Sequence, residues 1–188
     1  MPPPLNLTLT TDGWLSPARH CPSPHCDERP AGDISLLVVH CISLPPGRFG
    51  GPYIDQLFLG TLNPNDDPYF ADIHQLRVSA HCLIRRNGEL VQYVPFGKRA
   101  WHAGQSCFEG RERCNDFSIG IELEGTDTDT YTAEQYRQLT AVSKLLLASY
   151  PAITPERVVG HSDIAPGRKT DPGTGFDWAF IEQLQDVR

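Results

Sequence analysis

His40 and His161 each follow a short apolar, β-branched run, residues 35–39 and Val158-Val159, and Asp171 stands ten residues beyond the second histidine. Two imidazoles at strand ends and one carboxylate would give a metal three ligands and leave a fourth position for water. That is the stoichiometry of a catalytic zinc, one per chain, rather than of a closed structural site. The spacing matches no short metal motif, so three unrelated hydrogen-bonded polar side chains stand as the competing reading. The pairs His20-Cys21 and His25-Cys26 also invite a metal, but their spacing fits no structural zinc pattern. Cys107 and Cys114 are close enough for a loop disulfide, and a catalytic cysteine working with His102 is a weaker option.

The elements that must hold these side chains can be read from periodicity and turn chemistry. Residues 35–39 form a buried strand ending at His40, and the Gly/Pro-rich stretch 45–52 forms a loop. Short helices are predicted around 54–59 and 69–76, where the insertion would wall a cleft. Two β-rich runs, 78–85 and 89–94, meet at Asn87-Gly88, a pair that supplies the positive φ angles of a tight hairpin turn. Residues 117–123 alternate strictly, with Phe117, Ile119, Ile121 and Leu123 on one face and Glu122 on the other beside Glu124. Alternation cannot choose between these two glutamates, and a solvated strand residue is the ordinary reading for both. Thr132 and Gln135 make a capping box for a helix whose apolar face is Tyr136, Leu139, Val142 and Leu146, stopped by Pro151. Asp177 is placed to cap a terminal helix reaching about 185. The sum is an α/β (α+β) single domain, a mixed sheet flanked by helices, with residues 1–33 as an N-terminal arm packed on a domain of residues 34–188.

A chain of 188 residues is long enough for its own core without disulfide staples. Its 39% apolar and 21% charged residues are globular values, which argues against wholesale disorder. A net charge of −7 argues against nucleic acid as a partner, because such binding needs many phosphates neutralised. Arg111, Arg113, Arg168 and Lys169 leave room for a small anionic ligand. The opening Met1-Pro2-Pro3-Pro4-Leu5-Asn6-Leu7 carries no positive region and no apolar run fit for a signal peptide or a membrane span. The expectation is a cytoplasmic protein without a membrane partner, whose six cysteines are reduced.

Longer segments carry a resemblance. Val39-His40, Trp101-His102-Ala103-Gly104, residues 115–125 and the run from Gly160-His161 through Lys169-Thr170-Asp171-Pro172-Gly173 resemble the AmpD-type 1,6-anhydro-N-acetylmuramyl-L-alanine amidases. The likeness extends from about Trp14 to Trp178 and takes in Pro22-Ser23-Pro24, Ser43-Leu44-Pro45-Pro46-Gly47 and Gly110-Arg111-Glu112-Arg113. It implies the amidase/peptidoglycan-recognition fold, zinc held by His40, His161 and Asp171, Glu122 as catalytic acid and base, and Lys169 as catalytic lysine. It further implies hydrolysis of the amide between the lactyl group of (1,6-anhydro)-N-acetylmuramic acid and L-alanine in the recycling of cell-wall fragments; the chain is expected to act as a monomer. Loss of that activity would let anhydromuropeptides accumulate and induce β-lactamase. Arg77 and Arg113 match arginines expected to hold substrate carboxylates, since a guanidinium offers two parallel donors. Trp101 is a candidate for stacking on a sugar and His102 for a place in the cleft, though a core tryptophan and surface ion pairs compete with these readings.

Two residues depart from the family's pattern. Ser162 stands where a cysteine is expected, and Cys41 where an asparagine would offer its amide to the substrate. A thiol is a poor donor and a soft metal ligand, yet adjacency to His40 on a strand should turn it to the opposite face. The alternatives are a lytic amidase acting on polymeric peptidoglycan and a non-catalytic muropeptide sensor. A sensor needs no ligand set, so Glu122 and Lys169 beside three ligands favour an enzyme.

Overall fold

The computed structural model describes residues 6–30 and 32–185, so the prolines at the start of the arm lie outside the described residues. Among the described residues, one six-stranded mixed sheet organises the chain. Its strands are β1 (Arg19–His20), β2 (Leu36–Ile42), β3 (Cys82–Ile84), β4 (Leu90–Gln92), β5 (Ser118–Glu124) and β6 (Val158–Gly160). They lie in the order β6-β2-β5-β3-β4-β1. β6, β2, β5 and β3 run parallel, and the hairpin β3–β4 supplies the antiparallel pairing. The arm is woven into the fold: β1 joins the sheet edge parallel to β4, and Cys26–Glu28 pairs with Lys98–Ala100.

Because the inner strands are parallel, both faces must be covered, and they are. On one face the helix α3 (Ala133–Ser149) lays Leu139, Val142 and Leu146 against Leu37, Val39, Ile119 and Ile121. Its N-terminus is the expected capping box, with the Thr132 hydroxyl accepting from the Gln135 N–H. On the other face Leu36 and Val38 pack with Ala103, Cys114, Phe117 and Ile164. Further along that face, Leu83 and Val91 pack with the helices α1 (Tyr53–Leu59) and α2 (Phe70–Ile73).

Several local expectations need correction. The strand carrying His40 continues two residues past it, to Ile42. Phe117 lies outside β5, after the short 3-10 turn Cys114–Asp116, and packs on the face opposite Ile119 and Ile121. The terminal helix is the 3-10 segment Trp178–Leu184, with the Asp177 carboxylate accepting from the Ala179 N–H. The hairpin is present, but only Gly88 of the Asn-Gly pair has positive φ, +83°. The Gly88 N–H donates to the Arg85 carbonyl and the Arg85 N–H to the Glu89 carbonyl, so the loop has three residues ending in a left-handed glycine. Asn87 instead uses its side-chain oxygen to accept from the Glu89 N–H.

Candidate metal centre and cleft

The parallel ladder sets His40 beside Glu122 and Glu122 beside Leu83, so the three share the sheet face opposite α3. β6 runs on the other side of β2, and where it ends at Gly160 the chain turns into the short helix α4 (His161–Ile164). Asp163 accepts from the Gly160 N–H, which fixes the turn that aims His161. Ligands gathered at the carboxyl ends of adjacent parallel strands are the usual product of open α/β sheets. Asp171 arrives on the following loop, held by the Ser162 N–H donating to its carbonyl.

The three side chains meet tightly. His40 Nδ1 lies 3.0 Å from His161 Nδ1, and Asp171 Oδ2 lies 3.1 Å from each of them. With metal bonds of about 2.0 Å at tetrahedral angles, ligand atoms stand about 3.3 Å apart, so this triangle is close to one face of such a site. Burial drives the His40 imidazolium down to about 4, which leaves the ring neutral at physiological pH. His161 Nε2 faces the Ala103 carbonyl at 3.1 Å and must carry its proton there, so in the neutral ring Nδ1 presents a lone pair to the triangle. Burial pushes the Asp171 carboxyl up, but its close contacts with His161 and then His40 outweigh it and hold the group below the usual carboxylate range. Imidazole lone pairs and a carboxylate converging in a buried spot form a donor set that suits a divalent cation such as zinc.

A cleft of about 550 Å³ opens over this triangle, lined by His40, Cys41, Trp101, Glu122, Lys169 and Asp171 among others. Glu122 is 8% exposed and its Oε2 is buried without a hydrogen-bond partner among the described residues. Burial raises its carboxyl well above the ordinary value, with the Asp171 charge adding and the Lys169 charge opposing. Glu124, two residues on, is also buried but fully engaged: its carboxylate accepts from Arg85, from the Gly50 N–H and from the Arg86 N–H. Neither glutamate is the solvated strand residue that alternation allowed, because loops cover their face as well.

The remaining expected site residues divide. Trp101 lines the cleft and is braced by the arm, its indole N–H donating to Asp27 while His25 stacks on its ring. Cys41 packs with the helix-side core, as alternation requires, yet the cleft wraps around the strand end and reaches it. Burial pushes its thiol up to about 12, which opposes a thiolate ligand competing for metal. His102 reaches the cleft, but both its ring nitrogens face protein partners, His40 and Ser118. Arg77 is exposed and not among the residues lining the cleft. Arg113 is 72% exposed, pairs with Asp116 at 3.6 Å and lines the adjoining cavity, which shares Arg168 with the cleft. Neither arginine lines the cleft itself.

Two residues organise the site in ways the sequence did not show: Asn115, given no role there, and Arg168, named only as a possible anion contact. Asn115 Oδ1 accepts from the N–H groups of both His102 and Ala103, and Arg168 donates to the carbonyls of Ala103 and Gln105. Together they fix the loop that holds His102 and the Ala103 carbonyl. Their signal is a side chain satisfying loop backbone groups, which leaves no periodicity to read.

The family described as N-acetylmuramoyl-L-alanine amidase matches residues 30–174. The 1,6-anhydro-N-acetylmuramyl-L-alanine amidase AmpD of Citrobacter freundii is 67% identical over 177 residues, 94% of each chain. A crystal structure of a selenomethionine AmpD derivative superposes with a TM-score of 0.91 at 66% identity, covering 94% of this chain and 99% of that one. The Escherichia coli amidase AmiD, solved in complex with anhydro-N-acetylmuramic acid-L-Ala-D-γ-Glu-L-Lys, superposes with a TM-score of 0.58 at 30% identity, covering 94% of this chain and 65% of that one.

Proposed function

The chain belongs to the N-acetylmuramoyl-L-alanine amidase family and is an amidase of that class, and from that premise we propose that its substrate is a 1,6-anhydro-N-acetylmuramyl peptide, cut between the lactyl carbonyl and L-alanine. In this reading it is a zinc enzyme of the cytoplasm, acting as a monomer in cell-wall recycling, the setting its AmpD-type resemblance implies. His40, His161 and Asp171 would hold the zinc. When bound, zinc supplies Lewis-acid polarisation of the carbonyl and brings the pKa of water towards about 7.

The chain's own residues supply the rest. Glu122 takes a proton from the attacking water as the water oxygen bonds to the lactyl carbonyl carbon. The carboxyl then carries that proton until the amine leaves. The Lys169 ammonium offers its charge to the oxyanion that develops on the carbonyl oxygen, a stabilisation larger in the transition state than in the planar amide. Glu122 then delivers its proton to the alanine nitrogen as the carbon–nitrogen bond breaks. The products are the lactyl carboxylic acid and the free peptide amine, which pass into carboxylate and ammonium at neutral pH. Trp101 gives the sugar an apolar wall.

The observation that carries this reading is the unpartnered Glu122 oxygen in the cleft beside the His40–His161–Asp171 triangle. The experiment is to incubate zinc-loaded protein with purified anhydromuramyl tripeptide and, separately, with intact peptidoglycan, following products by mass spectrometry beside chelated and Glu122→Ala controls. Release of tripeptide from the small substrate alone is the expected result. Cleavage of the polymer would replace it with the lytic reading, and binding without turnover would sink catalysis by Glu122.

A further inference from the structure

His40 has two ring nitrogens and both are committed. Nδ1 faces His161 and Asp171, and Nε2 lies 2.8 Å from His102 Nδ1. The two rings stand edge to face, 87° between planes with centroids 4.9 Å apart. The far nitrogen of His102, Nε2, lies 3.1 Å from the Ser118 hydroxyl. A hydrogen-bond chain therefore runs from the triangle through His40 and His102 to Ser118.

That chain has two proton arrangements. In one, His40 Nε2–H donates to His102 Nδ1 and His102 Nε2–H donates to the Ser118 hydroxyl, which leaves His40 Nδ1 bare. In the other, the hydroxyl donates to His102, His102 Nδ1–H donates to His40, and the His40 proton sits on Nδ1, pointing into the triangle and blocking a cation. Only the first arrangement makes His40 a ligand through Nδ1.

The position of His102 is set from several sides. Its N–H and that of Ala103 both donate to Asn115 Oδ1. Its ring rests on Gly120, where an added Cβ would lie 2.5 Å from His102 Cγ and Nδ1. Gly120 is not among the residues with positive φ, so the backbone does not demand glycine there. The ring of His102 does. The strand that carries Glu122 thus contains a notch, two residues earlier on the same face, that seats the ring behind His40.

We propose that His102 is a positioning residue, not a substrate contact: it accepts the His40 Nε2–H, fixes the tautomer and plane of that ligand, and depends on Gly120 for its seat. This assignment rests on the metal reading of the triangle. Partners of this kind on a ligand histidine typically change metal affinity by about 10–100-fold.

The test uses the full chain stripped of metal, with zinc affinity measured by competition against a chromophoric chelator. Each variant is checked for the wild-type circular dichroism spectrum and urea midpoint. His102→Ala and His102→Gln are expected to bind zinc about 10–100-fold more weakly. His102→Asn, whose Oδ1 stands near the old Nδ1, is expected to stay within about threefold of wild type, a rescue that a space-filling role would not give. Gly120→Ala, which touches no ligand, is expected to weaken binding in the wild-type background and to add little in His102→Ala, where the added Cβ finds room. Wild-type affinity in His102→Ala and His102→Gln would overturn the assignment and leave the zinc site standing. Failure of the unaltered protein to take up zinc would instead overturn the metal reading, and the assignment with it.

Discussion

Glu122 and Glu124 sit two residues apart on one strand, on one face, and both are buried. Glu124 is 1% exposed and its carboxylate is saturated by Arg85 and by the N–H groups of Gly50 and Arg86. It ties the strand end to the Gly/Pro-rich loop beside the cleft and to the β3–β4 hairpin. Glu122 is also buried, at the cleft wall, but keeps an oxygen without a partner among the described residues. A buried carboxylate matched by donors is part of the scaffold. One left unmatched beside a candidate metal site carries a desolvation cost that a proton, a water, a metal or a substrate can offset. Satisfaction, rather than burial or strand position, separates the two roles.

The largest expected effect tests that separation directly. Glu122→Gln removes the proton carrier while keeping shape, and kcat on anhydromuramyl tripeptide is expected to fall by about 10²–10⁴-fold without loss of zinc or of folding. A variant that retains even a tenth of wild-type kcat would take the proton transfers away from Glu122. The mirror substitution, Glu124→Ala, leaves the buried Arg85 with only Asp55 at 3.7 Å and Glu89 at 3.5 Å for charge partners. Urea unfolding is expected to show a loss of about 3 kcal/mol, while kcat per folded molecule stays near wild type. If activity fell and stability held, the roles given to the two carboxylates would have to be exchanged.

The same contrast has a pH signature in metal-free protein. Burial raises the Glu122 pKa in the fold, so the native state keeps its proton at pH values where the unfolded chain has released it. Native protein then binds more protons than unfolded protein from about pH 4.5 upward, and stability declines with rising pH until the raised native value is passed. Glu122→Gln does not titrate and escapes the decline. Metal-free Glu122→Gln is expected to match wild type near pH 4 and to exceed it by about 1–3 kcal/mol at high pH, measured as the difference between urea curves. Parallel pH profiles for the two proteins would remove the desolvation argument.

How much of this was legible in the residues follows from what each feature depends on. The α3 capping box, the β3–β4 hairpin and the alternation of β5 rest on contacts a few residues apart, and the sequence shows them. The convergence of His40, His161 and Asp171 depends on β6 lying beside β2, a pairing across 121 residues between the histidines that no local pattern encodes. The resemblance, rather than spacing, carried that prediction. The engagement of Glu124 was invisible because its donors come from loops, two of them backbone N–H groups. The partners of His102 were hidden for a related reason: its neighbours Asn115, Ser118 and Gly120 become meaningful only once the strand is seen to pass beneath its ring.

The smallest effect sharpens the scaffold side of the comparison. Gln135 donates through its side-chain amide to the backbone carbonyls of Ile84 and Glu124, and Thr132 holds Gln135 in place while its hydroxyl donates to the Arg86 carbonyl. The capping box therefore belongs to the Glu124 network as well as to α3. Thr132→Ala is expected to lower stability by about 1 kcal/mol, the ordinary cost of a lost cap, with kcat unchanged. Combined with Glu124→Ala, it should cost less than the sum of the two, because Glu124→Ala has already loosened the hairpin end that Thr132 braces. Strict additivity in that double variant would mean that the cap serves α3 alone, and that the scaffold around Glu124 ends at Arg85, Arg86 and Gly50.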